Sequence, residues 1–153
     1  MIIVIWGVSS FILFVKGLKE SKDNKNAYGL TPSLFPWGIF VWGDAVVFGI
    51  FWFLTSLISI ILKDWILFLL IICVFWVVRS LGETIYWFNQ QYSNINRNPP
   101  EKYWFYKYFH NDSIWFIHQI AWQCVSVISI IFTIYLSSLW LKSIWRYWNW
   151  QLN

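Results

Sequence analysis

Charge is what this sequence has least of. Only 12% of its 153 residues are charged, about half the ~25% typical of soluble domains. An ordinary globular fold could not cover its surface with so few. Cysteine is scarce as well. Cys73 and Cys124 each fall in the middle of an apolar run, with no partner Cys or His at metal-ligand spacing, so both read as buried, inert thiols. No H-E-x-x-H, G-x-S-x-G or C-x-x-C-H motif occurs, which removes the usual signatures of zinc proteases, serine hydrolases and haem attachment. His110 and His118 lie eight apart on or near one helix, roughly 12 Å, too far to share a metal ion. Neither a metal nor a cofactor is expected. The net charge of +4 comes without a dense basic patch, so nucleic acid is not an expected partner. There is no internal repeat and no sign of a second domain, and the polar run RSLGETIYWFNQQ (79–91) matches no family motif.

What the chain does have is apolar and aromatic bulk. Hydrophobic residues make up 59% and aromatics 24%, including 14 Trp, many of them near the ends of apolar runs. That is the distribution of aromatic belts at membrane–water interfaces. The expected fold is an all-α integral membrane bundle forming one domain over 1–153. Four helices are read, about 2–18, 36–62, 65–90 and 114–141. The first is short for a ~30 Å hydrocarbon core. It reads as an uncleaved helix, because no basic residue precedes it and no A-x-A site follows it. Pro36 suits the first turn of the second helix. Lys63-Asp64 leaves room only for a tight antiparallel turn before the third, and Asn96 to Pro100 ends that one. The segment 101–110 (EKYWFYKYFH) is too short to span and reads as interfacial. Asn111-Asp112-Ser113 offers the N-cap of the fourth helix.

Orientation follows from the basic residues. Lys16, Lys19, Lys22, Lys25, Arg97, Lys102 and Lys107 fall on one side of such a topology, against Lys63, Lys142 and Arg146 on the other. The positive-inside rule then puts both termini outside the plasma membrane. Trp140, Trp145, Trp148 and Trp150 near the last helix end read as belt anchors.

The informative residues are polar ones inside apolar runs, because an ionisable side chain in hydrocarbon costs several kcal/mol unless it finds a partner. Asp44 stands in the second helix, Arg79 and Glu83 in the third, and His118, Gln119 and Gln123 in the fourth. Counted from the cytoplasmic end of each span, they lie about six to eleven residues in, one layer to within roughly two helical turns. Arg79, Glu83, Tyr86 and Gln90 share one stripe of the third helix, and Trp115, Gln119, Trp122, Gln123, Ser126, Thr133 and Ser137 make another on the fourth. Asp44 is placed on a face with Trp37, Phe48, Phe51 and Thr55.

The favoured function is binding or passage of a small polar solute or ion at this layer. Arg79 would hold an anionic group or balance the acids, Asp44 and Glu83 would bind a cation or carry a proton, and Tyr86, His118, Gln119 and Gln123 would complete the site. A structural or accessory subunit, whose polar layer is interhelical glue, is the alternative. A membrane-embedded enzyme with Glu83 or His118 as acid/base is a minor one. The expected partners are the lipid bilayer and either a second copy or another membrane subunit. On this reading, Glu83→Gln and Asp44→Asn abolish activity and leave a folded protein.

Overall fold

The computed structural model describes residues 1–93 and 98–151, the side chains at 33 and 146–151 excepted. The expectations for Asn96, Arg97, Arg146, Trp148 and Trp150 therefore lie outside the described residues or side chains. The fold is all-α. Helices α1 (Ile2–Asp23), α2 (Trp42–Ile61), α3 (Trp65–Tyr92) and α4 (Ser113–Gln151) are each long and apolar enough to cross a membrane. α1 is longer than the run 2–18, because its last turns continue through Lys19, Glu20 and Lys22 before Lys25 takes a left-handed φ of 47°. α4 also runs past residue 141. No Gly or Pro interrupts it, and its 39 residues extend about 58 Å, well beyond one hydrocarbon core.

The chain packs as two compact units, one of Met1–Ile71 with the end of α4 from Lys142, the other of Ile72–Leu141. In the first unit, α1 and α2 run antiparallel and approach backbone to backbone. Gly7 faces Ser56, Gly17 faces Ala45, and Gly49 faces Phe14, where an added Cβ would stand 2.8 Å from the Phe14 nitrogen. Small residues at such crossings let transmembrane helices gain van der Waals contact where no hydrophobic effect drives them together.

The second helix does not begin at Pro36. Residues 30–41 instead form a hairpin of two short antiparallel strands, β1 (Leu30–Leu34) and β2 (Ile39–Val41), joined by a 3₁₀ turn at Phe35–Trp37. Gly38, at φ 68°, turns the chain back where a side chain would be strained. Proline at 36 has the fixed φ of a first helical turn, but this helix is a single 3₁₀ turn. The tip inserts between α1 and α2. Trp37 stacks on Trp6 at 4.7 Å, donates its indole N–H to Ser10 Oγ at 3.1 Å, and accepts the Trp52 indole N–H on its carbonyl at 3.0 Å. Trp52 lies ten residues into α2, so the tip sits about 15 Å along the helix pair from the start of α2.

α2 therefore starts at Trp42, which places Asp44 in its first turn and corrects the depth of about eight residues. Asp44 Oδ2 accepts the backbone N–H groups of Phe40 at 3.0 Å and Val41 at 3.3 Å, fastening the returning strand to the helix it enters. The α2–α3 turn is tight, as expected. Lys63 adopts a left-handed φ of 52°, and Asp64 Oδ1 accepts the Leu67 N–H at 2.9 Å to cap α3.

In the second unit, α3 and α4 meet through rings and hydroxyls. Trp76 stacks on Trp122 at 6.2 Å, and Ser126 Oγ donates to Ser80 Oγ at 2.8 Å. Cys124 is exposed and Cys73 half-buried, which corrects the reading of both as buried. The apolar surface around Cys124 is one that lipid would cover.

Gly49→Val should destabilise the protein by about 1–3 kcal/mol through overpacking against the Phe14 backbone. Gly82, with nothing within 4 Å of an added Cβ, provides the control: Gly82→Ala should leave stability unchanged or raise it by up to about 1 kcal/mol. Thermal unfolding in detergent separates the two, and equal losses would refute the close-approach account.

Candidate functional site

Helix α3 brings Arg79, Glu83, Tyr86, Trp87 and Gln90 along one flank of the second unit. The pattern follows from spacing: positions 79, 83, 86 and 90 recur at four, three and four residues. Arg79 Nη2 lies 3.0 Å from Glu83 Oε1, with the two side chains only 16% and 14% exposed. Each charge answers the other within one turn, so the pair enters an apolar stretch as a neutral unit.

Beside this pair stands an aromatic box built from three elements. His118 of α4 stacks on Trp87 at 4.5 Å. The edge of Tyr103 closes a second side at 4.8 Å, and Phe105 a third at 6.3 Å. Tyr103 and Phe105 come from the segment between α3 and α4, which makes two 3₁₀ turns, Pro100–Lys102 and Trp104–Lys107. Trp87 is 94% buried. Its indole nitrogen and His118 Nε2 are both shielded from solvent and have no hydrogen-bond partner among the described residues.

A polar network fastens the box to both helices. Tyr103 Oη donates to Asn98 Oδ1 at 3.0 Å, the Asn98 amide donates to Tyr86 Oη, and Trp115 Nε1 donates to the Asn98 carbonyl at 2.9 Å. One residue thus joins α3, the connecting segment and α4. Higher up, Gln91 Nε2 donates to Gln119 Oε1 at 2.7 Å. Tyr103 titrates abnormally: burial, and then the neighbouring Tyr86 and Glu83, push its phenol up to about 12.

Arg79, Glu83, Tyr86, His118 and Gln119, all singled out from sequence, thus share the second unit and its network or flank. Two other candidates differ. Gln123 is exposed, because Trp122 takes the α3-facing position on this turn of α4. Asp44 belongs to the first unit, on the first turn of α2 with the backbone bonds described above, and Trp37, expected on its helical face, lies in the hairpin tip. Asn98 and Tyr103 were not anticipated. The available signal was an asparagine immediately before Pro99-Pro100, a side chain able to replace the hydrogen bonds that two prolines cannot donate. Among the described residues no three His, Cys, Asp or Glu side chains gather as a metal site.

No family model, curated protein or solved structure matches this chain.

Asn98→Ala should cost about 0.5–1.5 kcal/mol, the usual net loss for side-chain hydrogen bonds near the surface, measured by thermal unfolding in detergent. The Tyr103 phenol gives a pH test. Its folded-state value is raised, so stability is intact below the ordinary value of 10.0 and falls as pH climbs toward about 12. Tyr103→Phe should lack that alkaline loss. If both proteins lose stability alike over this window, Tyr103 is not the group responsible.

Proposed function

We propose that this is a membrane-embedded binding protein whose second unit takes a small polar or ionic solute at Arg79, Glu83, Tyr86, His118 and Gln119. The observation that carries the reading is the Arg79–Glu83 pair, held at 3.0 Å and mostly buried within a membrane-length helix. Intramembrane ionisable groups are rare and mark ligand or ion pathways. The unpartnered indole and imidazole nitrogens beside it add a second motive, since buried polar atoms left unanswered by protein can be answered by a ligand. The Lys/Arg count places this end of α3, with the 91–113 loop, on the cytoplasmic side of the plasma membrane and both termini outside. A solute would approach from the cytoplasm. Asp44 serves the first unit as a helix cap rather than as part of this site.

The second reading, interhelical glue in a structural or oligomeric subunit, is favoured by Ser80–Ser126 and Gln91–Gln119, where polar side chains of α3 and α4 satisfy each other. Measured bonds of this kind in membranes average about 0.6 kcal/mol.

The discriminating measurement is thermal stabilisation of the purified protein in detergent by sodium chloride, inorganic phosphate, glycine and phosphoethanolamine, tested one at a time. At least one should raise the unfolding temperature of the wild type, and Glu83→Gln should abolish that shift while retaining helical circular dichroism. If no solute shifts the wild type, or Glu83→Gln loses its helical signal without solute, glue is the better account.

A further inference from the structure

We infer that two copies of this chain pair along an exposed face of α4, with Gln123 of each copy hydrogen-bonded to Gln123 of the other. α4 is the least buried of the four spans. One flank of it meets α3 through Trp122 and Ser126. Away from that flank Phe116, Ile120, Val127, Ile130 and Ile134 are all exposed, and so is Gln123. These six positions recur at four, three, four, three and four residues. That is the 3.5-residue repeat whose seam stays turned toward a second helix along its length.

Lipid alone would satisfy five of the six. The sixth is an amide, and its depth follows from the bonds between α4 and α3. Ser126 bonds Ser80 and Gln119 bonds Gln91, so the two helices run antiparallel. Ser126 thus stands level with a residue twelve positions, about 18 Å, before the end of α3 at Tyr92. Gln123 lies about 4.5 Å nearer that end, and so about 13 Å inside it. Its side chain is too short to lift the amide to the headgroups as a lysine does. It has no hydrogen-bond partner among the described residues. An unanswered amide in hydrocarbon is costly, and a polar side chain on a neighbouring helix is the usual answer.

A second copy is the partner that fits. Two chains inserted alike in one membrane are related by a twofold axis along the membrane normal. Their α4 helices then run parallel and in register, and each seam residue meets its own counterpart. An amide is self-complementary in that position, since the N–H of one Gln123 donates to the carbonyl oxygen of the other. A carboxylate or an ammonium group there would meet its own charge. One polar residue in an apolar seam also fixes the register of the pair. The face around Cys124, about 100° further round the helix, turns away from the seam and stays with lipid. The seam shares no residue with the proposed solute site, so each stands or falls without the other.

The test uses the full chain in vesicles of phosphatidylethanolamine and phosphatidylglycerol, with Cys73→Ser and Cys124→Ser removing both native thiols. Val127→Cys places a thiol on the seam and Ile128→Cys places one about 100° away from it. The two positions are equally open to an oxidant, at 57% and 55% exposed. Under copper–phenanthroline oxidation the first should cross-link to a dimer at least about tenfold faster than the second, because a disulfide needs its two Cα atoms within about 7 Å. Energy transfer between dye-labelled chains, followed on dilution with lipid, gives the dissociation constant in the same vesicles. It should rise about tenfold in Gln123→Leu and much less in Gln123→Asn, which keeps an amide. Equal cross-linking at 127 and 128 overturns the seam, and a Gln123→Leu dimer as tight as the wild type overturns the amide pair. If neither cross-linking nor energy transfer is seen, the chain is a monomer and the inference is refuted, whether lipid or another subunit covers α4.

Discussion

A polar atom inside a bilayer has no water to bind, and nearly every specific contact in this protein answers that constraint. Several hydroxyl groups in the spans turn back on their own helices. Ser10 donates to the Trp6 carbonyl, Thr55 to Phe51, Ser59 to Thr55, Ser80 to Trp76 and Thr84 to Ser80. This is the local satisfaction open to Ser and Thr in a helix, and the oxygen keeps lone pairs for a second contact. Ser10 uses that capacity to receive Trp37, and Ser80 to receive Ser126. The bonds between elements are thus extensions of bonds within them.

The two units meet the constraint with different materials. In the first, glycine and serine bring α1 and α2 into close contact, and a tryptophan from the hairpin fills the remaining groove with its N–H and C=O both engaged. In the second, the contacts described between α3 and α4 are rings, serines and glutamines, supplemented by Asn98 from the connecting segment. Small-residue contact gives a rigid crossing. A junction of rings and side-chain networks can rearrange a rotamer at a time, which suits the binding site proposed there.

The helices were legible in the sequence because a membrane span declares itself by length and apolarity alone. The turn at Lys63-Asp64 was legible as the one charged break between two apolar runs, and the α4 start at Asn111 to Ser113 through capping chemistry. The hairpin at 30–41 was not. Pro36 has the same φ in a helical first turn as in a single 3₁₀ turn, and Gly38 does not announce its left-handed backbone. That error moved Asp44 in depth, since its apparent burial was counted from a helix start six residues too early. The Arg79–Glu83 stripe was readable because i,i+4 geometry is fixed by the helix itself. Asn98 and Tyr103 reach the same site through a segment whose path depends on tertiary contacts, so no periodicity pointed to them.

The hairpin has a consequence for how the protein is made. Its strands form too few internal hydrogen bonds to enter hydrocarbon on their own, and the acceptors and rings that receive its tip belong to α1 and α2. Those two helices must therefore be inserted and paired before residues 30–41 can dock. Biogenesis is then ordered, with a soluble-facing loop first and an intramembrane plug afterwards. Any step that delays the α1–α2 pairing leaves Ile39, fully buried in the finished protein, without the α1 and α2 side chains that cover it.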